Sequence, residues 1–242
     1  MSAMKNVVVA TQSNYIPWKG YFDQILSSDQ FILLDCVQYT RRDWRNRNKI
    51  KTPQGLQWLT IPVEVRGRYT QAIDETRVSD AEWVEKHIRS LEGNYRRAPH
   101  FETEAPWLFA QMRQAAAHDH LSEINRHLIC ALCERIGITT PVVGCGEVLG
   151  RDALVAMDPS DRLLELCKAA RATHYLSGPA AKDYLNVAAF ERENIQVLWM
   201  SYENYPPYPQ QWGEFTHGVS IVDLLLNVGA ADALTCLRRE AA

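Results

Sequence analysis

The stretch KNVVVATQSNYIPWKGYFDQILSSDQFILLD, from Lys5 to Asp35, carries the strongest indication of the fold class. It begins with KNVVVAT, a short valine-rich run that is typical of a buried strand. KGYFDQILSS follows with the spacing of a helix, and QFILLD is a second buried-strand pattern that ends at Asp35. A strand, a loop, a short helix and a strand within 31 residues are typical of a βαβ unit. The stretch therefore predicts a parallel sheet.

A β-hairpin is predicted directly downstream, in NKIKTPQGLQWLTIPV. Two strand-like runs flank the tripeptide PQG at 53–55, whose residue types favour a turn. Because side chains alternate along a strand, Leu59 and Ile61 should lie on one face of the hairpin, and Trp58 and Thr60 on the other.

The middle of the chain has helical spacing. SDAEWVEKHIRSLEGNYRR begins with Ser79 and Glu82 at the spacing of a capping box. Two apolar stripes follow, each with a helical period. The first consists of Trp83, His87, Leu91 and Tyr95, and the second of Leu121, Ile124, Leu128, Leu132 and Ile136. Gly137 ends the second predicted helix, so we expect a helical insertion over residues 79–137.

Alternation of helices and strands resumes after this insertion. DPSDRLLELCKAARA places Pro159 in a first helical turn after Asp158. THYLSG and IQVLWMSY are strand patterns on either side of a short helical segment, PAAKDYL, and VSIVDLLLNVG is a final helix that ends at Gly229. The whole chain is thus predicted to be a single α/β domain with a mostly parallel sheet, a β-hairpin and a helical insertion. Its core should consist of residues 5–78 and 138–229.

Composition and charge restrict the class of protein. Of the 242 residues, 46% are hydrophobic and 23% are charged, as in ordinary soluble globular proteins. The net charge of −3 argues against a protein that coats nucleic acid. The longest apolar runs are about half as long as a membrane span requires. The six cysteines lie mostly in apolar surroundings, and no signal peptide precedes them. We therefore expect a cytoplasmic protein with buried thiols and no membrane span.

The first loop, TQSNYIPWKGYF, follows the first predicted strand and is the first candidate site. In open α/β sheets, ligands bind at the carboxyl ends of the strands. Gln12, Asn14, Tyr15, Trp18 and Lys19 offer hydrogen-bonding groups and aromatic rings there, and we predict that they bind substrate. Aromatic residues after a strand also occur simply as core residues, which is the competing interpretation for this loop.

The basic stretch QYTRRDWRNRNKIK follows the second predicted strand and should begin at the same edge of the sheet. Six Arg and Lys residues lie within eleven positions of a chain that is acidic overall. Arginine matches the geometry of phosphate and carboxylate groups, and tryptophan provides a ring for stacking. The competing interpretation is a solvated basic strand. The predicted substrate-binding residues are Arg42, Trp44, Arg45, Asn46, Arg47, Asn48 and Lys49.

A third candidate site lies in YLSGPAAKDYL, where a glycine follows a predicted strand and a proline begins a helix. Backbone N–H groups at such a helix start can hold an anion. Ser177, Gly178, Lys182, Asp183 and Tyr184 are the predicted substrate-binding residues. A plain strand-to-helix turn explains the same residues equally well.

His87 and Asp35 are the predicted catalytic residues. A histidine titrates near neutrality and suits proton transfer, although His87 shares its helix face with apolar residues and is also a candidate core residue. No histidine precedes it, which removes the paired-histidine chemistry of nucleotidylyltransferases with a similar start. The spacing of histidines and cysteines predicts no metal site.

Four segments together resemble one known family. QSNYIPWKGYFD, VQYTRRDWRNRNKIKTPQGLQWLTIPV, YLSGPAAKDYL and VSIVDLLLNVG are similar to motifs of the WbqC-like family of bacterial proteins. The resemblance extends from about Lys5 to Gly229. It implies a role in the biosynthesis of O-antigen or other surface polysaccharides, or in a related pathway.

Three hypotheses about function follow from these residues and the resemblance. The first is a cytoplasmic transferase that acts on a phosphate-bearing activated small molecule, such as a nucleotide sugar. The second is an acyl or aminoacyl transferase that uses a coenzyme A or carrier-protein thioester, with Cys36 activated by the neighbouring cations. The third is a non-catalytic module that binds a nucleotide or a glycan. The sequence identifies no particular cofactor, and nucleic acid is not expected as a partner.

Overall fold

The computed structural model describes residues 5–237, which form a central sheet, a hairpin and surrounding helices. The strands are β1 (Val7–Thr11), β2 (Gln30–Leu33), β3 (Arg47–Thr52), β4 (Gly55–Thr60), β5 (Val142–Gly144), β6 (His174–Ser177) and β7 (Gln196–Trp199). The central sheet has the order β5-β2-β1-β6-β7, and all of its neighbouring strands are parallel. The strands β3 and β4 form a separate antiparallel pair. The predicted α/β class, with a parallel sheet and a hairpin, is confirmed.

Ten α-helices and two short 3-10 helices surround these strands within residues 5–237. The α-helices are α1 (Lys19–Leu26), α2 (Trp83–Tyr95), α3 (Phe101–Ala115), α4 (Leu121–Ile136), α5 (Cys145–Val148), α6 (Arg151–Ala156), α7 (Pro159–Ala169), α8 (Val187–Arg192), α9 (Ile221–Val228) and α10 (Ala230–Leu237). The 3-10 helices are Ile73–Glu75 and Pro179–Asp183. None of the helices in this part of the chain is long and apolar enough to cross a membrane.

The alternation of side chains along the central strands divides the core into two layers. In β1, Val7 and Val9 pack with α1, α2 to α4, α9 and α10 on one face of the sheet. Val8 and Ala10 point to the other face, where they pack with α6, α7 and α8. Because both faces are covered, the strands read as continuous apolar runs in the sequence.

The chain reverses its direction across the sheet next to β1. It runs outward from β1 to β2 and β5, then returns to the other side of β1 for β6 and β7. Right-handed crossovers place α1 to α4, which lie between β1 and β5 in the chain, on one face, and α5 to α8, which lie between β5 and β7, on the opposite face. A ligand crevice is expected at such a reversal, outside the carboxyl ends of the strands.

The hairpin has the predicted faces. Thr52 pairs with Gly55, so two residues form the turn, and the positive φ of Gly55 suits a tight connection. Leu59 and Ile61 are buried, whereas Trp58 and Thr60 are exposed, as the alternation predicts.

The helical middle contains both predicted stripes, and every residue of the two stripes is buried. The predicted capping box is wrong. Helix α2 begins at Trp83, and its cap residue Glu82 makes no side-chain capping bond. The backbone N–H of Glu82 instead binds the Asp80 carboxylate at 2.8 Å, while the N–H of Ser79 binds the Pro62 carbonyl at 2.9 Å.

The predicted helix ends agree with the structure. Gly137 ends α4 in the left-handed conformation with φ of 83°. Asp158 caps α7 by accepting bonds from the N–H groups of Ser160 and Asp161. Helix α3 and strand β5 were not predicted individually. The assignment of residues 79–137 as an insertion into a single domain stays a prediction.

Candidate functional site

The loop after β1 and the basic stretch meet at the carboxyl edge of the sheet, as predicted. The Tyr15 N–H donates to the Trp44 carbonyl at 3.1 Å. The Arg45 guanidinium donates to the carbonyls of Gln12 and Ser13, both at 3.3 Å, and to the side-chain oxygen of Asn14. Arg45 therefore holds the loop in place, and its donors are directed at the protein itself.

A cavity of about 680 Å³ opens at the carboxyl ends of β1 and β2, beside the reversal of the chain. We call it the switch-point cavity. Its lining comes from the ends of these strands, the 70–75 segment, α6, α7 and the residue after the second 3-10 helix. The lining residues are Ala10, Thr11, Gln12, Leu34, Cys36, Val37, Gln38, Thr70, Ala72, Glu75, Arg151, Val155, Pro159, Arg162, Leu163 and Tyr184.

Two arginines of this cavity were missed at the sequence level. Arg151 forms bonds of 2.8 and 3.0 Å to the Asp74 carboxylate and one of 2.7 Å to Glu75, and these bonds raise the pKa of Arg151. Arg162 donates to the carbonyls of Leu154 and Met157 at 2.7 and 2.8 Å. Residues 5–237 contain no carboxylate within ion-pair distance of Arg162. Its charge therefore remains available to an anion, whereas that of Arg151 is offset.

Asp35 follows β2 and lies beneath the first loop. Its carboxylate accepts a hydrogen bond of 2.8 Å from the Ser13 N–H. Burial raises the pKa of Asp35 to about 6, although the bonds from Ser13 and the charge of Arg45 oppose this shift. Asp35 also lines a smaller cavity of about 150 Å³, together with Leu33, Asp74, Ser122, Glu123, Arg126, Gly144, Cys145 and Gly146. This carboxyl group can therefore bind or release a proton near neutral pH.

The expectation that Cys36 has a lowered pKa is wrong. A hydrogen bond to the Cys145 sulfur and burial both raise the pKa of Cys36. The partner thiol is the acidic one, because the hydrogen bond from Cys36 is the main cause that lowers the pKa of Cys145 to about 7. The cations of the basic stretch do not supply this effect.

A second cavity, of about 350 Å³, lies between the first loop and the hairpin. Its lining residues are Asn14, Trp18, Trp44, Asn48 and Gly218. Trp44 is 39% exposed, so part of this residue is accessible to a ligand. The two cavities share the first loop as a wall, since Gln12 lines the larger one and Asn14 the smaller one.

The cations of the basic stretch do not converge on one point. The Arg47 guanidinium stacks 4.1 Å from the centre of the Trp58 ring and donates to the Arg42 carbonyl. The Lys49 amine lies 4.9 Å from the same ring. The Lys51 amine is buried and donates to a side-chain oxygen of Gln210 and a backbone carbonyl. Carbonyl oxygens and aromatic rings of the protein thus contact most of these cationic side chains.

The two asparagines of this stretch are buried and support the backbone. The Asn46 amide donates to the Ile61 carbonyl at 2.7 Å. The Asn48 amide donates to the carbonyls of Tyr15 and Ile16 at 3.1 and 2.9 Å. Asn48 also lines the cavity of about 350 Å³, but its amide N–H groups donate to carbonyls of the first loop.

Tyr15 and His87 form a buried pair, away from both of the larger cavities. The Tyr15 hydroxyl lies 2.8 Å from the His87 Nδ1, and the His87 Nε2 lies 3.2 Å from the Thr60 carbonyl. Burial lowers the pKa of His87 to about 4, so the ring is neutral, donates from Nε2 and accepts at Nδ1. Tyr15 has no exposed surface. This placement corresponds to the core interpretation, and neither residue lines the cavities described above.

Lys19 is enclosed by aromatic rings instead of facing solvent. Its amine donates to the Pro206 carbonyl at 2.9 Å and lies 5.1 to 5.8 Å from the centres of the Tyr205, Tyr208 and Phe215 rings. Burial lowers the pKa of Lys19 to about 8. The lysine therefore fastens the 201–219 segment to α1.

The residues of the third candidate site lie in different environments and do not form one site. Ser177 is buried, and Gly178 precedes a 3-10 helix that begins at Pro179. Lys182 and Asp183 are exposed, with the Lys182 amine 5.5 Å from the centre of the Trp199 ring. Tyr184 is the member of this group that lines the switch-point cavity. No cluster of three metal-ligating side chains occurs among residues 5–237.

Comparison with known proteins places the chain in a family. The sequence profile of the WbqC-like protein family matches residues 12–234. The uncharacterized protein Rv1507c of Mycobacterium tuberculosis is 48% identical over 227 residues, which cover 94% of this chain and 95% of that protein. No solved structure matches the chain. The chain belongs to the WbqC-like protein family.

Proposed function

We propose that the protein is a cytoplasmic transferase that binds a phosphate-bearing activated small molecule, such as a nucleotide sugar, in the switch-point cavity. The observation that carries this proposal is a cavity of about 680 Å³ at the carboxyl ends of β1 and β2, with Arg162 in its wall. The pathway in the proposal is the one that the family resemblance implies, the biosynthesis of a surface polysaccharide or a related product.

The size and the place of the cavity support a small-molecule ligand. Ligand pockets typically have volumes of about 300 to 1,000 Å³. In open α/β sheets such ligands bind where the strand order reverses, outside the carboxyl ends of the strands. The switch-point cavity meets both conditions.

The charge of the cavity supports a phosphate group. Arg162 is held by two backbone carbonyls and by no carboxylate among residues 5–237, so its guanidinium is oriented without being neutralised. A planar guanidinium in a fixed orientation suits phosphate oxygens. Arg151 contributes less, because Asp74 and Glu75 already pair with it.

A transferase needs a second binding place and a proton acceptor, and the groups around the first loop offer both. The acceptor substrate enters the cavity of about 350 Å³ between the first loop and the hairpin, where the exposed part of Trp44 supports stacking with a ring. Asp35 is the proposed proton acceptor. It lies under the shared loop, bonded to Ser13, and its pKa of about 6 leaves it largely ionised at neutral pH.

A second candidate function is acyl or aminoacyl transfer from a thioester. The specific observation in its favour is the pKa of Cys145, which the hydrogen bond from Cys36 lowers to about 7. A thiolate at neutral pH is a competent acyl acceptor. This candidate requires Cys145 as the nucleophile instead of Cys36.

A ligand screen by thermal unfolding tests the proposed function. The purified protein is melted with nucleotides, nucleotide sugars and coenzyme A, alongside Arg162→Gln and the control Arg192→Gln on α8. A ligand at a hundred times its dissociation constant stabilises by about 2.7 kcal/mol, or roughly 5 to 10 °C for a chain of this size. We expect a nucleotide sugar to stabilise the native protein and the control, and Arg162→Gln to lose the response.

Two results would contradict the proposal. One is that no phosphate-bearing compound stabilises the native protein. The other is that Arg162→Gln, folded and melting normally, responds as strongly as the control. Stabilisation by coenzyme A alone would favour the acyl-transfer candidate.

A further inference from the structure

Cys36 and Cys145 lie side by side although 109 positions separate them in the sequence. The strands β2 and β5 are parallel neighbours, and Leu33 pairs with Gly144. Cys145 follows Gly144 directly, and Cys36 follows Leu33 by three residues, so both thiols stand at the carboxyl edge of the sheet. They are 4% and 5% exposed and belong to the same hydrophobic cluster.

The surroundings of the Cys145 sulfur favour its ionised form. The side chain of Cys36 and the backbone of Asp35 and Cys36 lower the pKa of Cys145, against the opposing effects of burial and of the Asp35 charge. Around Cys36, the charge of Arg162 favours ionisation and that of Asp74 disfavours it. Within the pair, Cys145 is therefore the thiol that ionises more readily.

Each of the two cysteines borders a cavity that a small reagent can enter. Cys36 lines the switch-point cavity, and Cys145 lines the cavity of about 150 Å³ that also contains Asp35. A thiolate beside a second thiol, with a cavity at each, is the arrangement of an oxidisable pair.

We propose that Cys36 and Cys145 form a redox-modification site, at which a hydroperoxide converts the two thiols into a disulfide between the carboxyl ends of β2 and β5. The Cys145 thiolate attacks one oxygen of the hydroperoxide, the O–O bond breaks, and the leaving oxygen takes up a proton. The Cys36 sulfur then attacks the resulting sulfenic acid. The S–S bond forms, the S–O bond breaks, and water leaves with the proton of Cys36. Two thiols are oxidised and one hydroperoxide is reduced. The proposal does not depend on the proposed transferase function.

The remaining cysteines provide internal controls. Cys130 is the most exposed of the six, and burial raises its pKa although Arg126 opposes this shift. Cys167 has no exposed surface, and burial raises its pKa as well. If exposure alone decided reactivity, Cys130 would react first. The proposal instead places Cys145 first.

The first experiment treats the folded protein with hydrogen peroxide and maps the products by mass spectrometry. We expect a peptide pair that joins Cys36 to Cys145 and lacks two hydrogen atoms. Cys36→Ser should accumulate a sulfenic acid at Cys145 that dimedone traps, Cys145→Ser should give no disulfide, and Cys167→Ser should behave as the native protein. The proposal is overturned if the native protein, still folded by circular dichroism, forms no Cys36–Cys145 disulfide.

The second experiment measures the rate of alkylation by iodoacetamide at each cysteine against pH, which keeps the test valid if a variant fails to fold. Because only the thiolate reacts and the pKa of Cys145 is lowered, the rate at Cys145 should rise and level off at a lower pH than the rate at Cys130, whose pKa is raised. The rate at Cys130 should still rise steeply above pH 8. A Cys145 rate that follows that of Cys130 would refute the proposal.

Discussion

The switch-point cavity and the basic stretch 41–51 differ in what their cationic side chains contact. The basic stretch has six cations within eleven positions, yet Arg45 is bound to loop carbonyls and Arg47 is stacked on Trp58. The cavity has two arginines from separate helices, and Arg162 faces no carboxylate among residues 5–237. The density of charge in the sequence therefore does not show which guanidinium remains available to an anion.

The largest expected effect concerns Arg45 as a structural clamp. Arg45→Ala removes a largely buried guanidinium that three acceptors of the first loop share. Because hydrogen bonds to charged groups contribute about 1.5 to 3 kcal/mol each, we expect the free energy of unfolding to fall by about 3 kcal/mol in urea titrations. Arg41→Ala, whose exposed side chain donates to one carbonyl, is the control and should cost less than about 1 kcal/mol. Equal losses in the two variants would show that Arg45 is no clamp.

The next effect is a pH dependence from Asp35. Its pKa is raised from 3.8 to about 6 because it is buried, so the folded state binds the proton more tightly than the unfolded state. This contribution to stability is fully present below pH 3.8 and is lost as the pH rises to about 6. Asp35→Asn keeps a side-chain oxygen that accepts from the Ser13 N–H, and it removes the free-energy cost of burying a charged carboxylate. Relative to the native protein, it should gain about 2 kcal/mol between pH 4 and pH 7 in urea titrations. A difference that does not change with pH would contradict this account.

A smaller effect separates the two regions by ligand affinity. Calorimetry with the nucleotide sugar found in the screen should show a loss of at least about tenfold, or 1.4 kcal/mol, for Arg162→Gln. The double variant Arg47→Ala/Lys49→Ala should change the affinity by less than about twofold, since both cations contact Trp58 and neither lines the larger cavity. A larger loss of affinity in the double variant than in Arg162→Gln would indicate that the phosphate group binds at the basic stretch instead.

The smallest effect concerns the ring on which these cations stack. Trp58→Ala should reduce the free energy of unfolding by about 1 kcal/mol, because it removes the partner of Arg47 and Lys49 on an exposed face. Leu56→Ala on the same strand is the control, as Leu56 is 47% exposed. Urea titration measures both variants. A loss at Leu56 as large as that at Trp58 would mean that stacking contributes nothing.

Local patterns were sufficient for most of the elements. The valine-rich run before Thr11 is a buried strand, Gly137 ends a helix, and Asp158 caps another, since each depends on residues close in the sequence. The capping box at Ser79 failed because a competing acceptor, Asp80, lies one residue further on. Strand β5 has three residues, too few for a periodic pattern.

The candidate site was predicted less completely, because its residues act at long range. The meeting of the first loop with the basic stretch follows from two parallel strands that end at the same edge. The role of Arg45 depends on which acceptors lie within reach, and the sequence does not contain that information. Arg162 and Cys145 come from segments more than a hundred residues away from the first loop.

The sequence by itself determined the α/β class, the parallel first unit, the hairpin faces and the helical stripes, because side-chain periodicity and chain-end signals are local properties. The tertiary structure alone decided which polar groups are available for chemistry. It buried His87 against Tyr15, enclosed Lys19 among rings and directed Arg45 into the loop. Burial and the partners that a side chain finds set its charge and its reach, and both arise only when distant segments pack together.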